Sequence, residues 1–230
     1  MVWIYGGGFQ FGEASRDLYS PDYLLREDVV IISITYRVGP FGFLCLQDPN
    51  FDVPGNAGLK DQVMALRWVK ANCARFGGDP NNITLFGDSA GAASVHYMML
   101  TEQCRDLFHK AICMSGSALS PWAVTPQHNW PYRLAVAAGY TGDNNEKEVF
   151  EFLRNAKGSD IVKANDDLCT DEEKRERIGF SFGPVIEPYV TENCVVPTKP
   201  IEMMRTCWSN KIPMIIGGVS NEGLLLYTGE

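Results

Sequence analysis

The sequence has no long apolar run and no excess of positive charge. No apolar stretch reaches the ~18 residues that a membrane-spanning helix needs, so we predict no transmembrane segment in this chain. The formal net charge is -8 at neutral pH, and nucleic acids and anionic membrane surfaces are themselves negative. We therefore expect neither of them as a partner, whereas a neutral or cationic small molecule is compatible with this charge.

Residues that bind metals or phosphates are scarce or badly spaced. There are only 3 histidines, and the 7 cysteines contain no Cys-x-x-Cys pair, so the ligand spacing of a zinc site is absent. We predict no metal site and interpret most cysteines as buried free thiols, with one disulfide pair left open. No Gly-Lys-Ser/Thr follows Gly6-Gly7-Gly8, which argues against a phosphate-binding loop.

The remaining composition is that of an ordinary globular domain. With 45% hydrophobic and 21% charged residues, the chain can build one sizeable core. No repeat, low-complexity segment or linker divides it, so we predict a single domain over residues 1–230. Because Met1-Val2-Trp3-Ile4-Tyr5 already has the pattern of a strand and the sequence closes on an apolar run, we expect a partial domain, incomplete at both ends.

Strand-like apolar runs alternate with helix-like stretches through most of the chain. Strands are predicted at residues 2–5, 29–34, 83–86, 108–116 and 213–219, and helices at 56–76, 90–100, 134–138, 146–156 and 201–208. The runs at 29–34 and 213–219 are typical of buried parallel strands. The charged stretch 166–177 is interpreted as a solvated helix or loop. This alternation predicts an α/β fold with a mostly parallel sheet and helices on both faces.

Ser89 lies in a Gly-x-Ser-x-Gly motif between a predicted strand and a predicted helix. Gly87 and Gly91 flank it, and in this setting a sharp turn exposes the serine hydroxyl at the end of the strand. The helix that follows directs its free N–H groups and positive end toward the serine, as stabilisation of an oxyanion requires. We therefore interpret Ser89 as a nucleophile; the alternative is a serine in an ordinary strand–helix turn.

Two other stretches supply candidates for the rest of such a site. Gly6-Gly7-Gly8 follows the first strand and can offer bare N–H groups to an oxyanion, although a flexible turn is the alternative. Glu222 follows the last strand, where a triad acid is expected, but it is equally compatible with a solvated loop glutamate.

A histidine base is harder to find. His96, His109 and His128 all precede Glu222, which reverses the expected order along the chain. A triad of Ser89 with Asp106 and either His109 or His128 remains a minor alternative.

Ordered matches run almost the full length of the sequence. They are Val2–Phe9, Tyr36–Leu44, Asn56–Gln62, Phe76–Pro80, Thr84–Gly91, Met114–Ser117, Phe182–Val185 and Ser220–Gly223. By these segments the chain resembles the type-B carboxylesterase and cholinesterase-like branch of the α/β-hydrolases. The segments Met98–Gln103 and Ser120–Ala123 are most similar to insect α-esterases.

The resemblance implies a role for each matching position. Ser89 corresponds to the nucleophile and Glu222 to the triad acid, while Gly7, Gly8 and the Ala90 N–H correspond to the oxyanion hole. Trp122 falls where the family lines its acyl pocket; a core aromatic is the alternative. The family histidine lies beyond residue 230, so we expect these 230 residues alone to be inactive. The implied reaction is hydrolysis of a small carboxylic ester through an acyl-enzyme, without a cofactor.

Two positions depart from the family pattern, and one alternative function remains. Tyr5 replaces a histidine that many carboxylesterases have, and Asp88 replaces the usual glutamate beside the nucleophile. The first is shared with cholinesterases, whereas the second puts catalytic efficiency in doubt. The alternative is a non-catalytic cholinesterase-like binding or adhesion protein; retention of Ser89, the glycines and Glu222 argues against it.

Overall fold

The computed structural model describes residues 1–166, 168–175 and 180–226. Its strands are β1 Val2–Ile4, β2 Ile32–Ser33, β3 Thr84–Asp88, β4 Lys110–Met114 and β5 Met214–Gly217. Its α-helices are α1 Gly39–Phe43, α2 Ala57–Asn72, α3 Ala90–Leu100, α4 Trp130–Ala137, α5 Glu146–Asn155, α6 Gly158–Asn165, α7 Asp171–Arg175 and α8 Pro200–Thr206. Short 3-10 turns occupy Leu24–Arg26, Pro49–Phe51, Cys73–Phe76, Glu102–Cys104 and Glu222–Leu226.

The five strands form one sheet in the order β2-β1-β3-β4-β5, and every neighbouring pair is parallel. The register places Val2 of β1 opposite Leu85 of β3, and Leu85 opposite Ala111 of β4. This topology confirms the predicted α/β architecture with a parallel sheet. Because parallel strands end at the same edge, the loops that follow β1, β3, β4 and β5 converge there.

The centre of the sheet is covered on both faces. Leu85 and Phe86 are neighbours on β3, so their side chains point to opposite faces, and both are buried. Helix α3 packs against β1, β3 and β4, and every one of its residues is buried. Within this core the amide of Gln62 on α2 donates to the Ser94 hydroxyl at 3.0 Å. These contacts hold helix α3 in place, and Ser89 is the residue directly before it.

A buried carboxylate ties the segment after residue 184 to the start of α2. Glu187 has a fully buried side chain that pairs with Lys60 at 3.0 Å and accepts from the Val195 N–H at 2.8 Å. Asn56, which precedes α2 with a φ of 58°, donates to the Val185 carbonyl and accepts from its N–H. These bonds explain how a segment rich in proline and glycine is held in one place.

Several predicted boundaries and environments were wrong. The strand predicted at 29–34 shortens to Ile32–Ser33, and within the described chain it lies at the edge of the sheet beside β1. The strand predicted as buried at 213–219 is exposed, with Ile215 at 67% and Ile216 at 59%. It pairs on one side only within the described chain. A short helix, α1, lies where a loop was predicted, and Trp130 begins α4 earlier than expected.

Other expectations from composition can also be compared with the structure. No helix in the described ranges is long and apolar enough to cross a membrane. Five of the seven cysteines are buried, as predicted: Cys45, Cys73, Cys104, Cys113 and Cys194. Burial raises the pKa of Cys113 to about 12, so this thiol is unreactive at neutral pH. In the charged stretch 166–177, α7 forms at Asp171–Arg175, while residues 167, 176 and 177 lie outside the described chain.

Candidate active site

Ser89 occupies a strained turn between β3 and α3. Its φ of 55° and ψ of -120° form a backbone conformation that side chains other than glycine rarely adopt. The Ser89 N–H donates to the Met114 carbonyl at 2.8 Å, and its carbonyl accepts from the Ala93 N–H at 3.0 Å. The turn is therefore fixed both to β4 and to the first turn of α3. As the first residue of α3, Ala90 presents an N–H that has no partner within the helix.

The glycines of the motif are required by close backbone packing. A Cβ added to Gly91 would lie 2.0 Å from the Ile4 carbonyl oxygen, and one added to Gly87 would lie 2.5 Å from the Gly91 carbonyl oxygen. Both distances are shorter than any real contact of a Cβ atom. The absence of side chains at these two positions therefore lets α3 start directly beside β1 and brings Ser89 to the end of that strand.

The loop that follows β1 contacts the serine turn directly. A Cβ added to Gly6 would lie 2.7 Å from the Asp88 carbonyl oxygen and 3.1 Å from the Ser89 Cβ. Gly7 and Gly8 have φ values of 110° and 60°, which glycine adopts at little cost. The structure thus brings Gly7, Gly8 and Ala90, the three predicted donors, to the edge of the sheet where Ser89 lies.

Two tyrosines anchor the start of this loop. The Tyr5 and Tyr36 rings stack at 4.6 Å between centroids, the Tyr5 hydroxyl donates to the Tyr36 carbonyl, and the Tyr36 hydroxyl donates to the Tyr5 carbonyl. Burial raises the pKa of both phenols, so both remain protonated and can keep donating at neutral pH. Tyr5, the departure noted in the sequence, therefore has a structural role immediately before the glycine loop.

Trp122 borders the same turn on the β4 side. A Cβ added to Gly116 would lie 2.4 Å from the Ser89 carbonyl oxygen and 3.2 Å from Cη2 of Trp122, so Gly116 separates the indole from the serine. The half-buried indole also lies 6.4 Å from the Phe9 ring, measured between centroids. This position beside Ser89 fits a wall of a binding cavity as well as it fits a packing role.

Glu222 lies beyond β5, on the same edge of the sheet. Its Oε1 accepts from the Val219 N–H at 2.9 Å, and its carboxylate also accepts from the Ser115 hydroxyl. Both bonds hold the pKa of Glu222 below its usual value, and the bond from Ser115 has the larger effect. The carboxyl group is therefore ionised at neutral pH. Burial, and after it the charge of Glu222, raises the pKa of Asp88. Asp88, whose pKa responds to the charge of Glu222, directly precedes Ser89 in the chain.

The three histidines of the chain have other partners. Nδ1 of His96 accepts from the Ala118 N–H at 3.2 Å, and Nδ1 of His109 accepts from the Ile83 N–H at 3.1 Å. Ile83 precedes β3, so His109 lies at the end of that strand opposite to Ser89, roughly 20 Å away at the rise of a β-strand. His128 contacts Glu173 at 3.3 Å. The alternative triad through His109 is therefore wrong.

Phe180 is a neighbour of the glycine loop that the sequence alone did not reveal. A Cβ added to Gly8 would lie 2.4 Å from Cζ of the Phe180 ring, so this half-buried ring lies directly on the glycine. The matching segment Phe182–Val185 drew attention to this region, but no local pattern connects it with a loop some 170 residues earlier. Phe180 and Trp122 are thus two aromatic side chains close to the candidate oxyanion donors.

A cavity of about 730 Å³ lies elsewhere and contains none of these candidate residues. It is bordered by α1, the start of α2, α5 and α6, with Phe41, Lys60 and Phe150 among its lining residues. Two of its three lining cations are paired, Lys60 with Glu187 and Arg37 with Asp61, and the third is Arg154. The converging strand ends, and not this cavity, therefore form the candidate active site.

Comparisons with known proteins identify the family to which this chain is similar. The model of the carboxylesterase family matches residues 1–229. Esterase B1 of Culex pipiens is 51% identical over 226 residues, which cover 98% of this chain and 42% of that protein. Cholinesterase 2 of Branchiostoma lanceolatum is 48% identical over 238 residues, covering 99% of this chain and 65% of that protein.

A solved structure extends the agreement to the fold. Juvenile hormone esterase from Manduca sexta, with OTFP covalently attached, has a TM-score of 0.79 and 34% identity, covering 93% of this chain and 39% of that one. The predicted resemblance and the α/β-hydrolase fold are thereby confirmed. This chain spans less than half the length of esterase B1. By the match over nearly all of its residues, the chain belongs to the carboxylesterase family.

Proposed function

We propose that this chain carries the nucleophile, the oxyanion hole and the triad acid of a serine carboxylesterase. Membership of the carboxylesterase family supports the reaction class, and the geometry at the carboxyl edge of the sheet supports the individual roles. One observation carries the assignment above the others, namely the strained backbone of Ser89 at the start of α3. Such strain persists where the surrounding structure enforces it, and it is concentrated at active sites.

The first half of the proposed reaction forms an acyl-enzyme. The Ser89 oxygen attacks the ester carbonyl carbon while its proton passes to a base, and the carbonyl oxygen becomes an oxyanion. The N–H groups of Gly7, Gly8 and Ala90 donate to this oxyanion. The tetrahedral intermediate then collapses, the alkoxide leaves with the proton from the base, and the acyl group remains on Ser89.

The second half releases the acid, and the carboxylate of Glu222 supports both halves. Water, deprotonated by the same base, attacks the acyl carbon, and Ser89 recovers its proton when the acid departs. The base is proposed to be an imidazole other than His96, His109 and His128, which are bonded elsewhere. Glu222, ionised and held by Val219, would orient that imidazole and stabilise its cation. Trp122 is proposed to line the acyl side of the substrate cavity.

Labelling by a fluorophosphonate tests the nucleophile. We expect the full-length natural protein to be labelled and to hydrolyse a chromogenic ester, and the Ser89→Ala variant to lose both. Ser117→Ala is the matched control. Among the described residues the Ser117 hydroxyl accepts from the nearby Leu119 N–H, and its removal should leave labelling unchanged. Equal labelling of Ser89→Ala and wild type would refute the assignment, and an unlabelled, inactive wild-type protein would favour the non-catalytic alternative.

Substitution at Gly8 tests the oxyanion loop. An added Cβ would collide with the Phe180 ring at 2.4 Å, and the backbone φ of 60° already disfavours a side chain. Loss of one oxyanion donor typically costs about a hundredfold to a thousandfold in kcat, and we expect a loss of that size for Gly8→Ala. Gly77→Ala is the matched control, since Gly77 also has a positive φ, 83°, but an added Cβ would meet nothing within 4 Å.

A further inference from the structure

The side chain of Gln10, two residues after Gly8, connects the glycine loop with two distant segments. Its Nε2 donates to the Phe182 carbonyl and approaches the Gly8 carbonyl at 3.5 Å. Its Oε1 accepts from Nδ2 of Asn165, the last residue of α6, at 3.2 Å. The Ser181 hydroxyl in turn donates to Oδ1 of Asn165 at 2.9 Å. The side-chain amides of Gln10 and Asn165 thus bridge the loop after β1, the end of α6 and residues 181–182. We call this set of hydrogen bonds the relay.

The direction of every bond in this relay follows from one end. A carbonyl can only accept, so the Phe182 carbonyl requires the NH₂ group of Gln10. The Gln10 oxygen must then face Asn165, which requires the NH₂ group of Asn165 in that place, and the Asn165 oxygen is left to accept from the Ser181 hydroxyl. Ser181 is buried, and Gln10 and Asn165 are both half-buried. Only one arrangement of the two amides satisfies all partners.

The glycine loop needs an external support of this kind. Gly6, Gly7 and Gly8 have no side chains with which to hold their own backbone, and glycine is the residue with the most conformational freedom. Backbone bonds from Gln10 and Phe11 to the Gly7 carbonyl close the turn locally. The Gln10 side chain also connects it to Phe182, beside the Phe180 ring that lies on Gly8.

We propose that Gln10 is a positioning residue for ester hydrolysis, which holds the Gly8 donor and the Phe180 ring in register with Ser89. The inference rests on the function proposed above. A loop held by the relay keeps the Gly7 and Gly8 N–H groups at the place where the oxyanion develops. A loop released from it binds the ground-state ester nearly as well but stabilises the transition state less. The expected defect is therefore in kcat, with KM little changed.

Three variants of the full-length natural protein test this role. Gln10→Ala removes the relay, and we expect kcat to fall about tenfold to a hundredfold, less than the loss from removing an oxyanion donor outright. Gln10→Glu preserves the shape but places an acceptor against the Phe182 carbonyl. Its defect relative to wild type should shrink as the pH falls, because a protonated carboxyl can again donate. Asn165→Asp removes the other amide donor with the same shape and should show a smaller defect in kcat.

A second readout separates positioning from general damage. A trifluoromethyl ketone adds to an active-site serine to give a tetrahedral oxyanion, so its affinity should fall by about the same factor as kcat/KM in each variant. Gln103→Ala is the matched control. The Gln103 amide also bridges separate segments, since it accepts from Arg67 and donates to the Glu192 carbonyl, but these bonds lie on the protein surface. We expect wild-type kinetics and ketone affinity for this control.

The outcomes for this role are distinct from those for the esterase function. If wild type lacks Ser89-dependent turnover, the proposed function fails and this inference with it. If wild type is active and folded Gln10→Ala and Gln10→Glu match Gln103→Ala in kcat, the positioning role is refuted. A rise in KM alone, or a Gln10→Glu defect independent of pH, would refute it as well. Should Gln10→Ala fail to fold, the two isosteric variants decide the same question.

Discussion

Replacement of Gly91 by alanine would test whether close packing of α3 on β1 sets the geometry of the site. The added Cβ would lie 2.0 Å from the Ile4 carbonyl oxygen, and 2.8 Å from both the Ile4 carbonyl carbon and the Tyr5 carbonyl oxygen. Ordinary contacts of a Cβ begin at 3.4 Å, so the two elements would have to separate by roughly 1.4 Å. No rotamer change can relieve the clash, because all three of these atoms belong to the backbone.

The size of the effect follows from this displacement. Overpacking of a close-packed interior costs about 1–3 kcal/mol, and in a domain of this size each kcal/mol lowers Tm by about 2–4 °C. The shift also moves Ser89 relative to the loop that begins at Gly6, which follows Tyr5 directly. A displacement of about 1 Å within a catalytic site can cost about a hundredfold in rate. We therefore expect Gly91→Ala to lose about 2–12 °C in Tm and about a hundredfold in kcat/KM.

Thermal unfolding and ester hydrolysis, measured on the same samples, would check both values. Gly158→Ala is the matched control. Like Gly91, Gly158 lies in the first turn of a helix, α6, but an added Cβ would lie at an ordinary 3.6 Å from Cζ of Phe41. Without strain, glycine to alanine stabilises a protein by about 0.4–1 kcal/mol, so the control should be neutral or slightly stabilised. If Gly91→Ala behaved like Gly158→Ala in both measurements, the reasoning from close packing would be refuted.

Two further substitutions have expected outcomes. Burial, and then the charge of Glu222, raises the pKa of Asp88 in the folded protein, so the folded state loses stability as the pH rises through that pKa. Asp88→Asn should therefore raise Tm more at pH 7 than at pH 4. Equal shifts of Tm at both pH values would contradict this reasoning. Lys60→Met leaves the buried Glu187 carboxylate without its cation and should lower the free energy of unfolding, measured in urea, by about 3–5 kcal/mol. Arg105→Met, which breaks an exposed pair with Glu102, should lower it by less than about 1 kcal/mol.

The parts of the fold that local pattern determines were predicted well. Alternating apolar runs and helical stretches were enough to predict the parallel sheet, and the strand–turn–helix around Ser89 lies where the motif requires it. The environments of β2 and β5 were predicted less well. Composition alone makes Ile215 and Ile216 appear interior, but burial depends on which segments cover a strand, and that is not encoded in the strand itself.

The site shows the same division between local and distant information. Ser89 and the three-glycine loop could be proposed from the sequence because their suggested chemistry depends on backbone shape, which the spacing of glycines indicates. Glu222 became a firm candidate only through the family resemblance, because a carboxylate after a strand is common. Phe180 and the partners of Gln10 were not predicted at all.

The support of the glycine loop illustrates why such residues escape sequence reasoning. Gln10 and Asn165 are separated by 155 positions and bonded by one amide contact, and neither has a composition or spacing that marks it as functional. The glycines reveal where a backbone must pass close to another atom, but they leave open what keeps it there. A bare loop that must hold N–H groups in fixed directions needs polar side chains from elsewhere, because apolar packing alone does not fix the orientation of a peptide group. The polar side chains bonded to a glycine loop are therefore a rational place to look for residues that position its N–H groups.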